Sequence, residues 1–235
     1  MKLSVPIYHL KRQAKLHARQ SGVPLNEALN AIAKHKGYTS WSGLAAAFAD
    51  RNPAAKILDA LGASDLVLLG ARPGHGKTML GIELVVEAIK AGRQAAFFSL
   101  EFTQKEMLEK FANLGVIATD DRLILDTSDD ICADYIIKQL AHAPRGCLVV
   151  IDYLQLLDQN RANPVLATQV TALKSFAKAA GTSVVMISQI DRSYDPTTKP
   201  MPDIDDVRLP NSLDLTLFTK AVFLNGGSVK LQDTR

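Results

Sequence analysis

The chain has 235 residues, of which 47% are hydrophobic, 22% charged and 6% aromatic, and its formal net charge is +3. This composition excludes an intrinsically disordered protein, and the length suffices for a sizeable core without disulfide or metal staples. The apolar runs are far shorter than the about 18 residues of a membrane span, and no apolar stretch of signal-peptide length precedes His9. We therefore expect a cytoplasmic protein with no membrane segment, in which Cys132 and Cys147 stay reduced.

The positive charge is concentrated at the amino end of the chain. Residues 1–50 contain seven Lys or Arg against two acidic residues, a net charge of +5, so residues 51–235 together carry −2. A basic surface of this kind is compatible with binding to nucleic acid or to an acidic partner. A solvated helix face explains the charge equally well, and the sequence leaves both interpretations open.

Three consecutive segments within residues 1–53 have apolar residues at helical spacing. The first covers 10–18 and is followed by a Gly-Val-Pro break, the second covers 25–33, and the third covers 41–48. Trp41 is in register with the apolar residues of the third segment, which favours a core position over a base-stacking platform. Two helices joined by a short turn also resemble a helix-turn-helix, but no side-chain pattern distinguishes a recognition helix from a packing helix. The sequence thus predicts a small basic helical domain and does not identify its binding partner.

From residue 54 to residue 235 the pattern changes to strands alternating with helices. The predicted strands are 65–70, 95–100, 122–125, 148–152 and 183–188, and the predicted helices are 77–91, 103–114, 129–142 and 165–180. Continuously apolar strands separated by helices indicate a parallel sheet covered on both faces, with ligands at the carboxyl ends of the strands. A terminal hairpin is predicted around Asn225-Gly226-Gly227.

A phosphate-binding loop is predicted directly after the first of these strands. Its residues are Ala71, Arg72, Pro73, Gly74, His75, Gly76, Lys77, Thr78 and Met79. They fit the pattern G-x-x-x-x-G-K-T with alanine in the leading glycine position, and they open an amphipathic helix. Backbone amides of such a loop bind β-phosphate oxygens. The Lys77 ammonium suits the β- and γ-phosphates and the Thr78 hydroxyl suits Mg²⁺, so a nucleoside triphosphate with Mg²⁺ is predicted.

Polar residues at other strand ends are candidates for the rest of the site. Asp152 ends the strand 148–152, where its carboxylate can hold Mg²⁺ through water if this strand neighbours the one before the loop. Glu101 follows the run 95–100 and can act as a catalytic base, although spacing alone makes a helix-capping acid equally plausible. Gln189 follows another strand, where its amide can sense the γ-phosphate.

Five segments resemble, in the same order, the motifs of the DnaB-type replicative DNA helicase motor, which is a RecA-like P-loop ATPase. The segments are GARPGHGKT at 70–78, FSLE at 98–101, ILDT at 124–127, VIDYLQL at 150–156 and ISQIDR at 187–192. The similarity covers about residues 57–224. It implies an α/β fold of the RecA-like P-loop NTPase type, with a mostly parallel central sheet beside the small N-terminal helical unit.

The resemblance also implies roles for individual residues and identifies ATP as the nucleotide. It makes Glu101 the catalytic base, places Asp152 on Mg²⁺, and lets Gln189 couple the nucleotide state to DNA-binding loops, with Lys77 acting on the phosphates. DNA contacts are implied for the loops that follow Asp152 and Gln189. The basic candidates in these loops are Arg161, Arg192, Lys199 and Arg208. Acidic residues offset the charge of the second loop, so charge alone does not favour strand binding there.

Two features of the sequence depart from the family pattern. Residues 1–50 do not resemble the primase-facing amino-terminal domain of the family, and the last predicted strand lacks its Lys-x-Arg finger, for which Lys230 or Arg235 are candidate substitutes. The leading hypothesis is an ATP-hydrolysing, helicase-type motor that acts on single-stranded DNA as a homo-oligomer, with a hexamer among the candidate forms. The alternative is a nucleotide-gated module that binds nucleic acid or protein with weak or no helicase activity.

Overall fold

The computed structural model describes residues 7–49, 52–117, 119–158, 163–209 and 211–234. The chain divides into two compact units, an N-terminal unit, Met1–Pro53, and a C-terminal unit, Ala54–Arg235. Within the described ranges, no helix is both long enough and apolar enough to cross a membrane. Cys132 and Cys147 are both free, as expected, and burial raises the pKa of the Cys147 thiol to about 11.

Three helices form the N-terminal unit, which confirms the three predicted helical segments. They are α1 Ile7–Ser21, α2 Leu25–His35 and α3 Trp41–Ala49. Helix α2 packs against both α1 and α3. Buried Leu10, Ala33 and Leu44 form the small core of this unit, and Trp41 packs against them. The predicted packing of Trp41 with the core of this unit is therefore confirmed, and its side chain is partly buried there.

A seven-stranded sheet forms the centre of the C-terminal unit, with the strand order β3-β2-β4-β5-β1-β6-β7. The strands are β1 Leu66–Ala71, β2 Ala95–Ser99, β3 Leu123–Asp126, β4 Leu148–Asp152, β5 Ser183–Gln189, β6 Lys220–Asn225 and β7 Ser228–Asp233. Every neighbouring pair is parallel except β6 and β7, which form an antiparallel hairpin. The mostly parallel sheet and the terminal hairpin are both confirmed.

Helices cover both faces of this sheet. They are α4 Pro53–Ala60, α5 Lys77–Lys90, α6 Gln104–Asn113, α7 Ala133–Gln139 and α8 Leu166–Ala180, with short 3₁₀ helices at Leu154–Asp158, Ile204–Asp206 and Leu215–Leu217. Along β1, Leu66 and Leu68 pack with residues of α7 and α8, whereas Val67 and Leu69 pack with residues of α5 and α6. Both faces are thus filled with side chains, which leaves the carboxyl ends of the strands for ligands.

One helix is shorter than the sequence predicted, and one helix was not predicted. The predicted helix 129–142 is only α7, because the Asp126 carboxylate accepts from the Ser128 amide at 2.8 Å and the Ser128 hydroxyl accepts from the Asp130 amide at 3.1 Å. These side chains satisfy backbone donors in a turn, which competes with helix formation. Helix α4 was not predicted. It begins at Pro53, because proline is well suited to the first helical position, where its missing N–H costs no hydrogen bond.

Candidate nucleotide-binding site

The loop between β1 and α5 has the backbone conformation that its glycines permit. Gly74 and Gly76 have φ angles of 79° and 90°, and Gly76 occupies the N-cap position of α5. A Cβ atom at either position would meet no protein atom within 4 Å, so crowding within the chain does not explain the glycines. The reason for glycine is the positive φ angle, which other residues rarely adopt. The His75 amide donates to the Arg72 carbonyl at 3.1 Å. The Met79 side chain is partly buried and packs against the core.

Helix α5 brings Thr78 to Asp152 across an intervening strand. The condition that β1 and β4 be neighbours is not met, because β5 lies between them. Helix α5 lies very close to the sheet at Gly81, where a Cβ atom would be 2.9 Å from Cδ1 of Ile187 and 3.1 Å from Cγ1 of Val150. This close approach accompanies a hydrogen bond of 2.8 Å from the Thr78 hydroxyl to Oδ2 of Asp152.

Asp152 is a buried carboxyl group with one unsatisfied oxygen. The residue is 1% exposed, and this burial raises its pKa to about 6, while the hydrogen bond from Thr78 and the charge of Lys77 act in the opposite direction. Its Oδ1 atom has no hydrogen-bond partner in the described part of the chain. A carboxylate oxygen beside a hydroxyl suits Mg²⁺, which prefers oxygen ligands. These residues therefore fit the predicted ion.

Mg²⁺ at this position would depend on the nucleotide for further ligands. Among the described residues, no group of three or more His, Cys, Asp or Glu could enclose a metal ion. Mg²⁺ in nucleotide sites is characteristically held by one or two protein oxygens together with substrate phosphates and water. The pair of Thr78 and Asp152 matches that limited protein contribution.

Lys77 and Glu101 lie close together at the same site. The Lys77 side chain is largely buried, and its Nζ atom is 3.9 Å from Oε2 of Glu101 and 5.9 Å from the centre of the Tyr153 ring. Glu101 follows β2, whose last residue, Ser99, pairs with Asp152 on β4. The Glu101 side chain is 38% exposed, so water can reach its carboxylate.

The helix-capping interpretation of Glu101 is wrong. Thr103 is the N-cap residue of α6, and its hydroxyl accepts from the Glu106 amide, while the Glu106 carboxylate accepts from the Thr103 amide. This reciprocal capping box satisfies the helix end without Glu101. Its carboxylate is therefore available for another role.

Gln189 ends β5 beside the phosphate loop and contacts a residue far along the chain. It pairs with Ala71, the last residue of β1. Its side-chain oxygen accepts from Nη1 of Arg208 at 3.3 Å, and its carbonyl accepts from the Arg208 amide at 2.8 Å. Gln155 donates from Nε2 to Oγ of Ser188 at 2.8 Å and to the Arg208 carbonyl at 2.7 Å. Sequence reasoning missed Gln155, although it lies within the segment VIDYLQL.

The four basic candidates for DNA contact have different environments. Arg161 lies outside the described residues, and Arg192 is exposed in the loop after β5. Lys199 forms ion pairs of 2.6 Å with both Asp203 and Asp206, which raise the pKa of Lys199. These two carboxylates balance its charge within the loop, so Lys199 has less to offer a phosphate. Arg208 contacts Gln189, as described above.

Solved structures share this fold at low sequence identity. A DnaB-like replicative helicase, described with its interactions with primase, has a TM-score of 0.58 and 18% identity over 92% of this chain and 65% of that chain. A second structure, described as an ATPase domain, has a TM-score of 0.54 and 20% identity over 69% of each chain. A KaiC-like protein from Pyrococcus horikoshii has a TM-score of 0.52 and 15% identity over 68% of this chain and 70% of that chain. Together with the loop and the strand-end carboxylates, these similarities define a RecA-like P-loop ATPase fold.

The family follows from sequence comparison. The model of the DnaB-like helicase C-terminal domain matches residues 43–120 and 117–215, and the chain therefore belongs to this family. A probable plasmid replicative DNA helicase of Chlamydia trachomatis is 26% identical over 67% of this chain and 43% of that protein. The replicative DNA helicase DnaB of Helicobacter pylori is 27% identical over 65% of this chain and 39% of that protein. The chain thus spans about two fifths of the length of these relatives.

Proposed function

We propose that this chain binds ATP with Mg²⁺ and hydrolyses it as the motor of a DnaB-type helicase acting on single-stranded DNA. The observation that carries the proposal is the convergence of four side chains at one edge of the sheet. The Thr78 hydroxyl is bonded to Asp152 at 2.8 Å, and the Lys77 ammonium lies 3.9 Å from the Glu101 carboxylate. Phosphate-binding, metal-binding and base functions are thus available at a single site.

Each group has a distinct part in binding the nucleotide. The backbone N–H groups of residues 71–79, apart from Pro73, which has none, bind phosphate oxygens together with the amino end of α5, and the Lys77 ammonium adds a positive charge there. Thr78 and Asp152 would hold Mg²⁺ through their oxygens. When bound, the ion would neutralise part of the negative charge on the phosphates. Ionised Asp152 is required for this role, which favours binding above its pKa of about 6.

Hydrolysis needs a base for the attacking water, and Glu101 is placed to supply it. Its carboxylate is accessible to water, lies beside Lys77 and is not used as a helix cap. General bases of this kind contribute about 10²–10⁴-fold to a rate. Gln189 lies between the phosphate loop and the segment that ends at Arg208, and this position supports its proposed role in linking nucleotide state to DNA-binding loops.

We also propose that the chain acts as a homo-oligomer with the ATP site between subunits. A hexamer is one candidate oligomeric state. Membership of the DnaB-like family supports this part of the proposal. The described strand β7 contains the exposed Lys230 and no Lys-x-Arg pair, while Arg235 lies outside the described residues. If Lys230 reaches a neighbouring site, a Lys230→Gln change will lower turnover in the assembled protein only.

ATP turnover by the full chain, with and without single-stranded DNA, tests the proposal. Mass determination at the assay concentration should accompany it, because an assembled site depends on concentration. We expect Glu101→Gln to lower turnover by about 10²–10⁴-fold, whereas Glu109→Gln, an exposed change on α6, should leave it unaltered. Wild-type turnover equal to that of Glu101→Gln would refute the motor and leave a nucleotide-gated binding module.

A further inference from the structure

Helix α1 carries a basic surface that the proposed ATP site does not use. Four of its residues, Lys11, Arg12, Lys15 and Arg19, are exposed, and α1 contains no acidic residue. Positions 11, 15 and 19 are spaced four residues apart. Position 12 lies three residues before position 15 and seven before position 19, so all four residues lie on one side of the helix. We call this set the α1 basic stripe.

The stripe has no counter-charge within the described structure. Among the described residues, no ion pair includes any of its four members. Glu27 on α2 is the only acidic residue between positions 7 and 49. Like charges four residues apart destabilise a helix, so the sequence retains an arrangement that is unfavourable for α1 itself. A polyanion that binds along the helix would relieve this repulsion.

We propose that the α1 basic stripe is a second nucleic-acid-binding surface that contacts the phosphate backbone independently of base sequence and of ATP. At a rise of about 1.5 Å per residue, the stripe extends about 12 Å from Lys11 to Arg19, a length that several consecutive phosphates can occupy. Lys and Arg exposed on one helix face are characteristic phosphate ligands. Such a surface would keep the chain on a strand while the ATP site changes state.

A nucleic acid fits this surface better than a lipid membrane does. Basic amphipathic helices bind membranes by inserting their apolar face among the lipids. In α1 that face is already in use, because Leu10 and Ala14 are 1% and 0% exposed, and Leu10 belongs to the core that Ala33 and Leu44 complete. Among the described apolar side chains of α1, Leu16 is the only large one that is exposed, at 49%, and a single leucine does not make an apolar face that can insert among lipids.

The test compares two charge-matched triple variants of the full chain in the absence of nucleotide. One variant is Lys11→Gln, Lys15→Gln and Arg19→Gln. The control is Lys105→Gln, Lys138→Gln and Lys178→Gln, which removes three exposed charges from α6, α7 and α8. Glutamine is a good helix former, so α1 should persist, and far-UV circular dichroism checks this. Fluorescence anisotropy with labelled oligothymidylate, from about 50 to 200 mM salt, reports affinity and its salt dependence.

We expect the stripe variant to bind oligothymidylate on the order of 10²-fold more weakly at the lowest salt, with a log–log salt slope smaller by about 2. The affinity of the control variant should stay within about threefold of wild type, since its three substituted positions lie outside the proposed phosphate-binding surface. An unchanged slope in the stripe variant, or an equal loss in the control, would overturn the proposal. So would a stripe variant that keeps oligothymidylate affinity but loses binding to phosphatidylserine vesicles. Because nucleotide is omitted, a failure of the ATPase proposal leaves this result unaffected, and the reverse also holds.

Discussion

Replacing Asp152 with asparagine should stabilise the nucleotide-free protein while it abolishes the proposed Mg²⁺ site. Burial raises the pKa of this carboxyl group from 3.8 to about 6, so its ionised form is disfavoured in the folded state. When the group is ionised, this elevation costs the folded state about 3 kcal/mol at most. Asparagine has nearly the same shape and carries no charge, so the cost disappears in the Asp152→Asn variant.

The sign and pH range of the effect follow from the direction of the pKa change. Well below the unfolded pKa of 3.8, the carboxyl group is protonated in both states and contributes no penalty. As pH rises, the unfolded chain loses the proton first, so the wild type becomes less stable until the folded carboxyl is also ionised above about pH 6. The stability difference between the variant and the wild type should therefore be about 3 kcal/mol near pH 8 and about half of that near pH 5.

Chemical denaturation followed by far-UV circular dichroism is the appropriate assay. The single tryptophan of the chain, Trp41, lies in the N-terminal unit, so its fluorescence reports that unit instead of the nucleotide site. Asp121→Asn, an exposed change near β3, is the control and should show no pH-dependent gain. A destabilised Asp152→Asn protein near pH 8, or a gain that does not depend on pH, would refute this account of the buried carboxyl group.

Two further predictions concern the approach of α5 to the sheet and the hydrogen bonds of Gln155. Gly81→Ala should lower the free energy of unfolding by about 1 kcal/mol, which chemical denaturation measures. The clash of the new Cβ atom with Ile187 and Val150 costs about 1–3 kcal/mol, which exceeds the gain of about 1 kcal/mol in helix propensity. Gln155→Leu removes the donor to Ser188 and Arg208, so DNA stimulation of ATP turnover should fall by about tenfold or more, while turnover without DNA stays within about twofold.

Each of these changes has a matched control in the same chain. Gly43→Ala on α3 places its Cβ no closer than 3.4 Å to a neighbour, so it should gain up to about 1 kcal/mol, the opposite sign to Gly81→Ala. Gln104→Leu alters an exposed glutamine on α6 and should leave DNA stimulation intact. A gain of stability in both glycine variants would show that the close contact of α5 with the sheet does not exclude a Cβ atom at Gly81. An equal effect of both glutamine variants on DNA stimulation would show that Gln155 has no specific role in it.

The sequence predicted the strands well because buried strands depend on local patterns, and the candidate site residues were chosen from local patterns too. Continuous apolar runs define buried strands, and the spacing of Lys77 and Thr78 follows from the loop itself. Strand order is not a local property, so the placement of β5 between β1 and β4 was missed. The expected closeness of Thr78 and Asp152 nevertheless holds, because Gly81 lets α5 pack tightly on the sheet.

Contacts between distant segments were the least predictable part of the site. No pattern indicates that Gln155 would bond the carbonyl of Arg208, which lies 53 residues further along the chain. The boundary of α7 was also missed, since hydrogen bonds of Asp126 and Ser128 to the backbone outweighed the helical pattern. In both cases a polar side chain satisfies backbone groups, and the outcome depends on geometry that spacing does not encode.

The end of β5 is where the proposed coupling between ATP and DNA would have to act. Ser188 bonds Gln155 in the segment after β4, while Gln189 pairs with Ala71 at the phosphate loop and bonds Arg208 through its side chain and carbonyl. If a γ-phosphate displaces Gln189, the hydrogen bonds of Gln189 to Arg208 and of Ser188 to Gln155 should change together, because Ser188 and Gln189 are adjacent residues of β5. Since Gln155 also bonds Arg208, the loops after β4 and β5 are joined independently of the nucleotide. This double connection explains why loss of Gln155 should uncouple DNA from turnover without disabling the ATP site.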